Sequence, residues 1–207
     1  NARDIDVESK GHVYDKLEAG LDSPYGLFQI SGDCNVRVTR EIKPQNLADL
    51  AAVVALARPG ALAFVEDYAK NVIDTIEDPT IREILESTRG CLIYQEQIMA
   101  ILNQVFGFPK EDGETLRKGI GKKLAHVVGP WKEKIYAAAE ERGIPKTTAD
   151  WFWNTVEASA DYSFNKSHAI SYASLAAPTI YLKFHHPQDF YLECLRMAPN
   201  RAARNTW

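Results

Sequence analysis

The spacing of apolar residues between Leu92 and Phe106 constrains this chain more than any other feature. Apolar side chains at 94, 98, 101, 102, 105 and 106 recur with the period of an α-helix, and Gln95 and Gln97 fall off that stripe. Residues 47–56 are almost wholly apolar, follow Pro44 and the capping residue Asn46, and stop at Arg58-Pro59-Gly60, which predicts a buried helix ending in a turn. Helical patterning continues over 61–73. It resumes after Asp78-Pro79, a cap followed by proline at the first helical position, and ends at Gly90. Four more helices are predicted over 112–118, 130–142, 147–159 and 167–184, separated by turns that contain Gly or Pro. Near the start, a short helix leads through Gly20 and Asp22-Ser23-Pro24 into an extended stretch over 26–30. Strand alternation is scarce and no repeat or low-complexity segment occurs, so the fold class is mainly α with little β structure. Pro178, inside the last predicted helix, removes a donor and predicts a kink there.

With 207 residues, 45% hydrophobic and 25% charged, the chain is long enough to bury a core of its own. It carries no apolar run of bilayer length and no charged-then-apolar leader, so nothing points to a membrane. Cys34, Cys91 and Cys194 are far apart and lack CxxC spacing, which reads as small apolar residues in a reducing compartment. Adjacent His185 and His186 point apart on a helix, and the other histidines also lack ligand spacing, so no protein-bound structural metal is expected. The net charge of −4 excludes a uniformly basic surface. Its distribution is uneven: residues 115–134 carry Arg117, Lys118, Lys122, Lys123, Lys132 and Lys134 against Glu133 alone, whereas 71–90 carry five acids against two arginines. A basic element on an acidic body suits a phosphate ligand.

Two sites of candidate chemistry stand out. Phe164-Asn165-Lys166-Ser167-His168-Ala169 opens a helix, where unpaired backbone N–H groups, Lys166, Ser167 and His168 together suit an anion; a capped helix start with a solvated lysine is the plainer reading. Arg117-Lys118-Gly119-Ile120-Gly121-Lys122-Lys123 reads either as a solvated face or as a phosphate grip. Gly119 and Gly121 each cost a helix roughly 1 kcal/mol relative to Ala and ask for a reason, such as close backbone approach to phosphate.

These stretches, with Tyr25-Gly26-Leu27-Phe28-Gln29, Arg58-Pro59-Gly60, Tyr94-Gln95-Glu96-Gln97-Ile98-Met99, Tyr181-Leu182-Lys183 and His186-Pro187, stand in an order that resembles the fingers region of the alpha subunit of bacterial DNA polymerase III, the C-family replicases. The resemblance covers about residues 13 to 195, with 1–12 a polar lead-in and 196–207 a tail. The chain opens on Asn1 rather than Met and reads as a piece of a longer protein whose palm domain, with the catalytic carboxylates, is not in it. Asp4-Ile5-Asp6 mimics a palm metal pair but lacks the apolar strand that would carry one. Pro178, Ala61 in place of a second proline, and the short stretch between 60 and 94 depart from the family pattern.

The resemblance implies a DNA-directed DNA polymerase activity of the parent, a cytoplasmic replication protein. It also implies that Arg117, Lys118, Lys122, Lys166, Ser167 and His168 hold the triphosphate of a deoxynucleoside triphosphate (dNTP). Arg58, Tyr94, Gln95, Gln97, Lys123, Asn165 and Tyr172 then contact primer–template DNA or support the site. For Tyr94, Gln95 and Gln97, ties between helices remain open beside groove contacts; for Arg58, an ion pair with Glu66; for Tyr172, core packing. Magnesium (Mg2+) is implied for the parent enzyme, arriving with the dNTP, and the sliding clamp among its partners. Two other classes compete: a helix-hairpin-helix module, whose Gly-apolar-Gly core matches Gly119-Ile120-Gly121 and binds DNA without base readout, and a purely structural helical domain.

Overall fold

The computed structural model describes residues 5–8, 13–122, 124–159 and 163–200; Asp4 and Lys123 lie outside them. The chain divides into two compact units, residues 58–166 and residues 1–57 with 167–207. Both are helical, and among the described residues the sole β feature is an isolated bridge between Tyr94 and Phe164.

The first unit holds α1 (Leu17–Gly20), α2 (Asp33–Ile42) and α3 (Leu47–Leu56). Asn46 caps α3 by accepting from the Asp49 N–H at 2.8 Å, while the Asp49 carboxylate takes the Gln45 N–H at 3.0 Å. Leu50, Ala51, Ala52, Val53, Ala55 and Leu56 are all buried, as expected of that apolar run. Residues 26–30 are not extended. Gly26 and Gln29 both take positive φ, and the Leu27 N–H donates to the Pro24 carbonyl, so the segment is a series of turns that buries Leu27 and Ile30.

In the second unit, α4 (Val65–Lys70), α5 (Pro79–Leu85), α6 (Gln95–Gln104), α7 (Lys110–Gly121), α8 (Ala125–Arg142) and α9 (Lys146–Ser159) follow in order. Asp78 caps α5 through the Thr80 and Ile81 N–H groups, with Pro79 at the first helical position. Gly90, at φ +87°, closes that region against Ile73; a Cβ there would lie 2.7 Å from the Ile73 nitrogen. The predicted stripe from Tyr94 to Phe106 is buried throughout. Ile98, Ile101 and Leu102 meet Leu116 and Ile120 of α7, Trp131 and Ile135 of α8 and Phe152 of α9 in one core, where Phe106 stacks on Phe152 at 5.1 Å. Helix α8 begins five residues before the expected start, with Pro130 inside it, because Val127 and Val128 pack on α7.

Helix α10 (Lys166–His185) begins at the last residue of the second unit and then belongs to the first, followed by α11 (Pro187–Met197). It runs helical through Pro178, burying Ala169, Ala173, Ala176, Ala177, Ile180 and Lys183. Sequence periodicity did not reveal α2 or α11. The first is short of apolar residues, and the second exposes Leu192, Leu195 and Met197.

Candidate functional site

The site in the 58–166 unit is built on the turn where residues 93–95 enter α6. The Gln95 N–H donates to the Phe164 carbonyl and the Phe164 N–H to the Ile93 carbonyl, each at 3.0 Å, which lays residues 164–166 beside that turn. Gln97, expected off the buried stripe, is 3% exposed. Its Oε1 accepts from the N–H groups of Ile93 (3.0 Å) and Tyr94 (2.9 Å), and its Nε2 donates to the Thr88 hydroxyl at 2.7 Å. Gln97 therefore shapes the turn from inside, since a buried amide must find partners for both ends. Tyr94 is likewise buried, which pushes its phenol well above the usual range.

Glu96 works on the opposite side of the turn. One carboxylate oxygen accepts from Asn165 Nδ2 at 2.9 Å and the other from the Lys166 backbone N–H at 3.0 Å. The helix start read as an open anion cradle thus already holds a carboxylate at its first N–H, from a residue 70 positions earlier in the chain. The Lys166 ammonium lies 5.9 Å from the centroid of the Tyr94 ring. Arg58 lies 4.3 Å from the centroid of Phe164, a cation–π contact, while Glu66, its candidate partner, pairs with Lys70.

Helix α7 carries the basic run to this turn. Arg117 donates from Nε and Nη2 to the two oxygens of Glu114, both at 2.7 Å, and from Nη1 to the side-chain oxygen of Gln95 at 3.1 Å. The Lys118 ammonium stands 3.3 Å from the same Glu114 carboxylate, which these partners, Arg117 foremost, hold down at about 2. Lys118 and Lys122 are solvent-facing, Lys122 as the residue that ends α7. Gly119 has a packing reason: its missing Cβ would sit 2.7 Å from Cγ1 of Val127 on α8. Close approach of two helices accounts for that glycine, where a phosphate contact was expected.

In the other unit, Ser167 and His168 are exposed on the first turn of α10. The His168 ring lies 4.2 Å from that of Tyr172, and Tyr172 stacks on Phe28 at 5.6 Å, so Tyr172 is neither in the core nor isolated. The loop carrying Phe28 is tied to α10 by Lys183, whose buried ammonium donates to the Ser23 carbonyl and, at 2.6 Å, to that of Tyr25.

Sequence reasoning missed the two acids. Glu114 was visible in principle as an i, i+3 and i, i+4 partner of Arg117 and Lys118; Glu96 was not, because its role depends on a contact with residues 165 and 166.

A helical unit that presents a basic helix beside a Tyr-Gln-Glu-Gln turn defines the class, and comparison with known proteins agrees. The family model described as the bacterial DNA polymerase III alpha subunit finger domain matches residues 2–143, and the chain belongs to this family. The chain is similar to proteins named DNA polymerase III subunit alpha from Halalkalibacterium halodurans (38% identical, over 80% of this chain), Thermus aquaticus (35%, over 91%) and Aquifex aeolicus (36%, over 86%). It spans only about one-sixth of their length, 15, 17 and 16% respectively. Residues 164–166 lie beyond the family match but within this unit's built site. Among the described residues no helix is long and apolar enough to cross a membrane.

Proposed function

We propose that this chain serves as the finger element of a template-directed DNA polymerase, holding the triphosphate of the incoming dNTP and guiding primer–template DNA. The observation that supports it most is the joining of two distant cationic elements at one turn: Gln95 holds Arg117, and the adjacent Glu96 holds Asn165 and Lys166. In nucleotidyl transfer the primer 3′-hydroxyl attacks the alpha phosphorus and pyrophosphate leaves. Arg117, Lys118 and Lys122 neutralise the beta and gamma phosphates, and Lys166 forms the second side of the grip; the family resemblance is what adds Ser167 and His168 to the triphosphate contacts. Arg58 and Asn165 contact DNA or the nascent pair, with Gln95, Tyr94 and Gln97 supporting them, and the family resemblance is what adds Lys123 and Tyr172 to the DNA contacts. Mg2+ enters with the triphosphate; among the described residues no three His, Cys, Asp or Glu side chains gather that could hold a metal ion. The sliding clamp is a partner of the parent enzyme to which no residue of this chain is assigned.

The chain by itself is expected not to extend a primer, and template-dependent incorporation by the purified 207-residue protein would refute that. The grip is tested by Lys166→Ala in a full-length polymerase carrying this segment. A loss of about 30- to 1000-fold in kcat/KM with all four nucleotides is expected, and kinetics within about threefold of the parent would return Lys166 to a solvated surface role. A helix-hairpin-helix reading draws on Gly119-Ile120-Gly121 before the α7–α8 turn, and packing against Val127 supplies another reason for Gly119.

A further inference from the structure

We propose that Glu114 is a positioning residue that presets the Arg117 guanidinium for a phosphate. This rests on the triphosphate grip described above. A guanidinium has five N–H donors in one plane. Glu114 takes the edge formed by Nε and Nη2, and Gln95 takes one donor from Nη1, which fixes the fork to both α6 and α7. Of the five donors these bonds use three, which leaves one N–H on each terminal nitrogen, two in all, the number that a pair of phosphate oxygens accepts. Fixing the fork beforehand removes much of the side-chain freedom that binding would otherwise have to freeze. The contrast with Lys118 supports the assignment: the same carboxylate meets it at one point, 3.3 Å away, and its side chain is 59% exposed against 31% for Arg117. Because Glu114 stays ionised far below neutral pH, the preset persists at any pH at which a polymerase works.

The rival role for Glu114 is competition, an anion that phosphate must displace, and the two differ in sign. Single-nucleotide incorporation of dATP with Mg2+ by a full-length polymerase carrying this segment would be measured for Glu114→Ala, Glu114→Gln, Arg117→Ala and the Glu114→Ala/Arg117→Ala pair. Positioning predicts that Glu114→Ala raises KM for dATP about tenfold, that Glu114→Gln, which keeps one acceptor, raises it about threefold, and that Glu114→Ala adds nothing once Arg117 is gone. A fall in KM or no change with Glu114→Ala, while Arg117→Ala is impaired, overturns the inference and leaves the grip standing. An equal loss on the Arg117→Ala background overturns it as well, since Glu114 would then act through something other than the guanidinium. A silent Arg117→Ala sinks the grip itself and this inference with it.

Discussion

Arg117, in the 58–166 unit, and Lys183, in the other, are both fixed by oxygen atoms, yet the bonds leave them very different capacities. Lys183 is 4% exposed and gives its ammonium to two backbone carbonyls of the loop at 23–25. Arg117 keeps nearly a third of its side chain in solvent and is held by a carboxylate and an amide on its inner edges. A cation bound to carbonyls deep in a fold is a strut, while a cation bound to side chains at a surface remains available to a ligand. Charge in the sequence does not separate the two; partner type and burial do.

The largest effect that can break this contrast is on activity. Arg117→Ala in a full-length polymerase carrying this segment should cut kcat/KM by about 30- to 1000-fold while changing denaturant stability little, and the reverse pattern would make it a strut as well. Gln97→Leu should act the opposite way. It strands two buried N–H groups and removes the bond that the Thr88 hydroxyl accepts, so urea titration of the chain should show a loss of about 2–4 kcal/mol. Lys183→Met should lose about 1–3 kcal/mol by the same measurement, by leaving two carbonyls unmatched. That difference has a pH signature. Burial lowers the Lys183 pKa below its unfolded value, so wild type carries a charge-burial cost that is relieved as pH rises through the folded pKa. The stability gap between wild type and Lys183→Met should therefore widen as pH rises through the lowered folded pKa toward the unfolded lysine value of about 10.4, and a constant gap would contradict it. The smallest effect is Phe28→Leu, about 0.5–1.5 kcal/mol, from loss of the stack on Tyr172.

What could be read in advance followed from local chemistry. The α6 stripe, the Asn46 and Asp78 caps and the Gly90 stop each depend on residues within a few positions of one another, and each is where the sequence put it. The misreadings share a different cause. Gln97 is polar but buried because Thr88 and two backbone N–H groups await it, and α8 starts early because Val127 fills the space left by Gly119. Residues 26–30 turn instead of extending, which sets Phe28 against Tyr172 about 140 residues later. At the site, the cations were legible as a basic run and Glu114 as their neighbour on one helix, but the role of Glu96 was not, because Glu96 finds its partners only after the chain has folded back.

The bridge between Tyr94 and Phe164 closes a loop of about 70 residues with two backbone hydrogen bonds. Closing so long a loop is entropically unfavourable until the helices between its ends have packed, so the turn that gathers the cations is among the last parts of this unit to assemble and the first to open. The amides of Gln95 and Phe164 should then exchange with solvent in step with each other, and sooner than those of Ile101 and Leu102 in the core. Parting these two bonds, together with the two that Glu96 accepts from Asn165 and the Lys166 N–H, would free residues 164–166 without disturbing the helices beneath.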